Sequence, residues 1–128
     1  PEPHVARRGA ALTDLGWEIY PGGLEDAVDA VAGTGVPIVV TEHGFADAHD
    51  AFRPRALVDS LMHLHRAIAR GAPVLGYLHW SLLDNFEWAH GYSKRFGIVG
   101  VDFDDQTRTV KDSGTWFAGV AAQNCFST

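Results

Sequence analysis

Pro37-Ile38-Val39-Val40-Thr41 and Pro73-Val74-Leu75-Gly76-Tyr77-Leu78-His79-Trp80 are the two stretches on which the fold turns. Each is an apolar run without polar alternation, bounded by turn-forming residues. Such a run reads as a strand buried on both faces, as in a parallel sheet. The segment between them carries a different period. After a loop over residues 45–50, Pro54 suits a first helical turn. Leu57, Leu61, Leu64 and Ile68 then recur at spacings of 4, 3 and 4, and Gly71 closes the helix they imply.

Working outward, Tyr20-Pro21-Gly22-Gly23 is a turn signal. A short helix follows it, with Leu24, Ala27, Val28 and Val31 on one stripe, ending at Gly33 to Gly35. Residues 1–16 show no clear period and read as an irregular lead-in. Downstream, residues 81–96 form a long loop rich in aromatics and carboxylates. Residues 98–103 and 108–110 flank Asp104-Asp105-Gln106-Thr107, which reads as a hairpin. A last helix is expected over 112–123, burying Trp116, Phe117 and Val120. Strands alternating with helices mean an α/β fold with a parallel sheet. Two strands cannot close such a sheet, so the sequence reads as part of something larger. Its start at Pro1 rather than at a methionine adds to that expectation.

The 128 residues are 46% hydrophobic and 20% charged, an ordinary globular composition. The formal net charge of −6 argues against a nucleic-acid partner, which needs a basic face to replace counterions. It argues equally against an anionic membrane surface, and the mild acidic excess reads as solubility. Cys125 is the single cysteine, so no internal disulfide can form, and a reducing compartment is expected. Pro1-Glu2-Pro3-His4 and the basic residues after it lack an apolar signal core, which makes the expected location cytoplasmic. The apolar runs are too short to span a bilayer.

In parallel α/β structures the active site lies at the C-terminal ends of the strands. The first strand ends in Thr41-Glu42-His43-Gly44 and the second in Trp80, so a carboxylate and an indole emerge on one rim. Glu87 and Trp88 follow within the next loop. That set suits a sugar, whose C–H faces stack on indole and whose hydroxyls are read by carboxylates and indole N–H groups. Glycoside hydrolysis also needs a carboxylate at the anomeric carbon. Position alone leaves the alternatives open. A strand-end glutamate serves as a helix cap or surface charge as well, and Trp80 and Trp88 could equally be core or lid residues. The histidines do not form a ligand set: His63 and His65 fall on different sides of a helix, His43 and His49 share a loop, and His79 faces away from Trp80's side. No metal and no cofactor is expected.

Thr41-Glu42-His43-Gly44 resembles the Thr-Glu-Asn-Gly motif of glycoside hydrolase family 1. The run from Gly76 to Trp88, ending Trp80-Ser81-Leu82-Leu83-Asp84-Asn85-Phe86-Glu87-Trp88, is similar to that family's second signature almost letter for letter. The similarity continues through Gly91-Tyr92-Ser93-Lys94-Arg95-Phe96-Gly97-Ile98-Val99, Val101-Asp102, Arg108-Thr109 and Lys111-Asp112-Ser113. Upstream it takes in residues 13–21. A lone Thr-Glu-x-Gly is weak evidence, whereas the long aromatic motif is specific.

The resemblance implies the C-terminal part of a (β/α)8 TIM barrel. Residues 1–128 would form a single partial domain: a lead-in over 1–16, the seventh unit over 17–71, and the eighth over 72–128 with a β-hairpin before the terminal helix. It implies a retaining β-glycosidase in which Glu42 is the nucleophile and Trp80 the platform beneath the glycone. Glu87 would hold two hydroxyls, Trp88 would donate its indole N–H, and Phe96 would border the pocket near C6. Asp84 and Asn85 would shape the loop. The family's branch for 6-phosphorylated sugars has serine in place of Glu87. A carboxylate there repels a phosphate dianion, so the implied substrate is a neutral β-glucoside or β-galactoside.

Two departures stand out. His43 replaces the family's asparagine, and either titrates beside Glu42 near neutral pH or is a tolerated surface variant. The family's Asn-Glu-Pro motif, which carries the acid/base, does not occur in this sequence. Glu18 and Glu25 precede the first strand on the wrong side of the unit to replace it. Beside the enzymatic reading stand two others: a non-catalytic partial barrel that binds sugar weakly or complements another barrel fragment, and a self-associating piece that pairs its open strand edges.

Overall fold

The computed structural model describes residues 6–126. Residues 1–5 of the expected lead-in lie outside the described residues. The elements in chain order are α1 (Gly22–Ala32), β1 (Ile38–His43), α2 (Arg53–Ala69), β2 (Val74–His79), a short 3-10 turn (Trp88–His90), β3 (Val99–Val101), β4 (Arg108–Val110) and α3 (Asp112–Gln123). The expected α/β order, the hairpin and the bounds of the last helix are all present. Among the described residues no helix is long and apolar enough to cross a membrane.

β1 and β2 pair in parallel, with Ile38 opposite Val74, Val40 opposite Tyr77 and His43 opposite His79. β3 and β4 form a separate antiparallel pair, Val99 opposite Val110 and Val101 opposite Arg108. A parallel bridge from Leu83 to Val99 ties the long loop to that hairpin. The parallel pair needs a crossover, and α2 supplies it.

α2 begins where the sequence places Pro54, in its first turn, without a cap from the adjoining residue. Its cap comes from further back. The Asp47 carboxylate accepts the N–H groups of Ala51, Phe52 and Arg53 at 3.1, 2.8 and 2.9 Å, satisfying donors that the first helical turn leaves without partners. Leu57, Leu61, Leu64 and Ala67 of α2 then meet Leu24 and Val28 of α1 in one buried cluster. Ile38, Val40, Val74 and Tyr77 of the strands and Trp116, Phe117 and Val120 of α3 pack against it. Each leucine buried there contributes about 1.5–3 kcal/mol. On the outer side, Glu25 of α1 bonds both His63 and Arg70, and Asp29 bonds Arg70 at 2.6 Å, clasping α1 to α2.

Three expectations change. The strands are not buried on both faces: Val39 is 49% exposed, Leu75 73% and Leu78 58%. All three helices feed the same cluster, so they cover one side of the sheet, and two strands cannot curl over their own other side. The helical stripes are narrower than expected: Ile68, the last member of the α2 stripe, is exposed, as are Ala27 and Val31 of the α1 stripe. Trp116, Phe117 and Val120 are half-buried rather than buried, because α3 flanks the cluster and, among the described residues, β2 has no strand beyond it.

Candidate active site

The two strand ends converge at one rim. The Trp80 N–H donates to the His43 carbonyl at 3.0 Å, extending the β1–β2 ladder past the last residue of β2. Gly44 is required at that approach, since a Cβ on it would fall 1.8 Å from the Trp80 carbonyl oxygen. The Trp80–Ser81 peptide is cis. Glu42 is exposed on β1 and Trp80 is half-buried just past β2. The register of the parallel pair shifts between Val40 and His43, and both Thr41 and Glu42 fall on the exposed side in that interval. A shift of this kind re-aims a side chain out of the regular alternation.

His43 turns the other way. Its Nδ1 lies 2.8 Å from the Tyr77 hydroxyl, and the two rings meet at 5.6 Å. Burial pushes its pKa down from the ordinary histidine value. It is therefore neither a surface variant nor a group that charges readily beside Glu42. The neighbouring His79 is pushed down to about 4, chiefly by burial and then by the proximity of His43 and Arg53.

The loop over residues 81–97 is organised around Asp84, whose side chain is buried. Its carboxylate accepts the Gly97 N–H at 2.9 Å and the Val101 N–H at 3.3 Å. Arg95 and Lys111 approach it at 3.5 and 3.6 Å. Gly97 is needed because a Cβ would meet the Asp84 nitrogen at 2.2 Å. Ser81 Oγ donates to the Leu83 carbonyl at 2.7 Å, and Asn85 Nδ2 donates to Ser81 Oγ at 3.1 Å. The Asp84 carboxylate and the Asn85 amide nitrogen thus hold the loop and tie it to the hairpin. Beyond them, Glu87 donates its N–H to the Gly91 carbonyl at 2.7 Å and stands half-buried. Trp88, at φ +44°, is 83% exposed. Phe96 is only 4% exposed and lies beneath the loop, its carbonyl accepting the Ser81 N–H. The structure thus places Glu42 and Trp80 on either side of the His43–Trp80 backbone bond at the rim, with Glu87 and Trp88 further along the loop that follows. Phe96 forms part of the floor that carries them.

A second group of residues, unremarked in the sequence, joins this loop to the one after β1. Arg53 is fully buried at the start of α2. Its Nη2 donates to the carbonyls of Asp47 and Arg95 at 2.7 and 3.0 Å, and its Nη1 bonds the Asp50 carboxylate. Asp50 also accepts the Ser113 N–H and hydroxyl at 2.8 and 2.7 Å. Burial alone would raise the Asp50 carboxyl, but the Ser113 and Arg53 bonds outweigh it and hold the pKa below the ordinary value. One guanidinium therefore collects both rim loops and, through Asp50, the start of α3. A signal for it exists in the sequence: Arg53 stands four residues before Leu57, on the apolar stripe of α2. A charged residue on a buried stripe must have partners. Among the described residues no group of three or more His, Cys, Asp or Glu side chains could hold a metal ion.

Against known proteins, the family model for glycosyl hydrolase family 1 matches residues 4–126. Beta-glucosidase A of Acetivibrio thermocellus is 46% identical over 125 residues, covering 89% of this chain and 28% of that protein. A beta-galactosidase of Saccharolobus solfataricus is 40% identical over 124 residues, covering 96% of this chain and 25% of its own length. Among solved structures, the beta-glucosidase from Thermotoga maritima in complex with castanospermine superposes with a TM-score of 0.88 at 41% identity, over 95% of this chain and 30% of that one. The chain thus spans between a quarter and a third of these relatives, and its α/β architecture matches part of a family 1 barrel.

Proposed function

This chain belongs to glycosyl hydrolase family 1, and we propose that it supplies the nucleophile and the glycone-binding loop of a retaining β-glycosidase. Its two βα units are the seventh and eighth of the barrel, over residues 17–71 and 72–128. Glu42 attacks the anomeric carbon of a neutral β-glucoside or β-galactoside as the glycosidic C1–O bond breaks, and the aglycone leaves with a proton from the acid/base of the complete barrel. Water then cleaves the glycosyl ester, releasing the sugar and the Glu42 carboxylate. Trp80 lies beneath the sugar ring and Glu87 and Trp88 bind its hydroxyls, while Phe96, expected as a wall near C6, is buried and supports the loop that carries them. The observation that carries this reading is the convergence at one rim of Glu42 and the Trp80 loop, locked by the His43–Trp80 backbone bond and the close approach at Gly44. Relatives of both substrate types, a beta-glucosidase and a beta-galactosidase, support the breadth of the substrate class.

The acid/base comes from elsewhere in a complete barrel, because this sequence has no Asn-Glu-Pro motif. Loss of general-acid help slows such reactions by about 10²–10⁴-fold, so the chain by itself is a poor catalyst of unactivated glycosides. A second reading is favoured by one observation, the exposed Val39, Leu75 and Leu78. In that reading the chain works as a fragment that complements the remainder of a barrel.

A 2-deoxy-2-fluoro glucoside with an activated leaving group tests the first reading, since it needs a nucleophile and a sugar pocket but little acid help. Intact-mass analysis should show one glucosyl adduct, mapping to Glu42 and absent from Glu42→Gln. A folded sample that acquires no adduct would leave the second reading in its place.

A further inference from the structure

The ladder between β1 and β2 breaks at the residue on which the proposed chemistry depends. Val40 pairs with Tyr77 and His43 with His79, with the irregularity between them. Glu42 lies in that interval, so regular backbone pairing does not fix it directly. Its position is inherited from Val40 on one side and His43 on the other. A nucleophile needs better definition than that, because misplacement by about 1 Å slows a reaction by about 100-fold.

Tyr77 spans the gap. Its hydroxyl lies 2.8 Å from His43 Nδ1, 3.4 Å from the His43 carbonyl and 3.2 Å from His79 Nδ1. Phe117 of α3 closes the group, 5.8 Å from the Tyr77 ring and 5.9 Å from the His79 ring. One hydroxyl therefore links the residue after Glu42 to the residue before Trp80. A hydroxyl has one proton to donate, so a chain of bonds through it has a direction. The direction is set by His79, whose buried Nε2 has no partner. A bare lone pair there is less costly than a buried N–H without an acceptor. His79 then carries its proton on Nδ1 and donates to Tyr77. Of the two acceptors on His43 that face the Tyr77 proton, Nδ1 at 2.8 Å is nearer than the carbonyl at 3.4 Å, which places the His43 proton on Nε2. The two histidines are neutral and hold opposite tautomers.

We propose that Tyr77 and His43 are positioning residues: their hydrogen bond bridges the broken ladder and sets the reach of the Glu42 carboxylate relative to the face of Trp80. The proposal rests on Glu42 being the nucleophile. It gives the histidine that replaces the family's asparagine a role behind the strand rather than in the pocket.

The test follows fluoroglucoside labelling of Glu42 in the full chain alongside nitrogen NMR of the histidines at neutral pH. Wild type should show the Nε2–H form at His43 and the Nδ1–H form at His79. Tyr77→Phe removes one oxygen. It should slow labelling by about 10- to 100-fold with little change in the concentration giving half-maximal rate, and mix the His43 tautomers. Labelling of Tyr77→Phe at the wild-type rate, or unchanged tautomers, overturns the proposal while leaving Glu42 as nucleophile. A folded wild type that is never labelled removes the nucleophile reading and this proposal with it. Should Tyr77→Phe fail to fold, His43→Asn takes its place. Slower labelling with the His79 Nδ1–H form retained then supports the bridge, and a wild-type labelling rate overturns it.

Discussion

The two sides of the β1–β2 sheet are made of the same kinds of residue and meet opposite surroundings. Ile38, Val40, Val74 and Tyr77 pack against the leucines of α2 and the flank of α3. Val39 and Leu78, at intervening positions, face solvent, and Leu75 is exposed at the free edge of β2. Single exposed apolar residues need no explanation, but a contiguous apolar sheet face marks an interaction surface. The chain therefore holds itself together from one side only. Its other side is composed for a cover that two strands and three helices do not provide.

That contrast can be broken or sharpened by measurement. The largest effect is expected at the rim where the strands meet. Gly44→Ala puts a Cβ into the Trp80 carbonyl and should destabilise by more than about 4 kcal/mol in urea unfolding, or abolish folding. A variant of near wild-type stability would mean the strand ends are looser than the His43–Trp80 bond implies. Next comes the covered side: Leu57→Ala should cost about 2–5 kcal/mol through lost burial and the cavity left behind.

Acid probes the same covered side. His79 titrates at about 4 in the folded chain, against 6.5 for an ordinary histidine. As pH falls the unfolded chain binds the proton first. Stability from this group is complete above about 6.5 and is lost on the way down to 4, by about 3 kcal/mol in all. His43, shifted the same way, adds to the slope. Asp50, which also acts on His79, is held below its ordinary value and stays charged over most of that window. Unfolding free energies at pH 7 and 4.5 should differ less in His79→Gln than in wild type, and equal slopes would count against a buried neutral imidazole. The smallest effect belongs to the bare side. Leu78→Ser should change stability by no more than about 0.5 kcal/mol, and a cost comparable to Leu57→Ala would show that Leu78 is covered in solution.

Much of this is legible in the sequence, for reasons that differ by element. The α2 stripe and Pro54 announce a helix because both act within a turn or two of chain. The last helix and the hairpin are legible for the same reason. Membership of the family is carried by the long run from Gly76 to Trp88. The bare side is not legible, because an apolar run records the surroundings of a whole barrel and not of the piece in hand. Nor is the direction of His43: strict alternation cannot foresee the shift between Val40 and His43. The Arg53 network escapes because its partners lie up to 63 positions apart, as in the Asp50–Ser113 bonds, and no local motif joins them. Asp84 reads from the sequence as a loop-shaping residue, though nothing in its spacing identifies Gly97 and Val101 as the N–H groups it holds.

Arg53 has a consequence for dividing such a barrel into two polypeptides. The bonds that gather its two rim loops, from Asp47, Asp50, Arg95 and Ser113, begin and end within this chain. A cut made upstream of it severs none of them. The seam left to rejoin is the apolar sheet face and its open edges. A reunion driven by apolar burial weakens on cooling. Two such halves would assemble more firmly at the bench than in the cold room, with temperature as their switch.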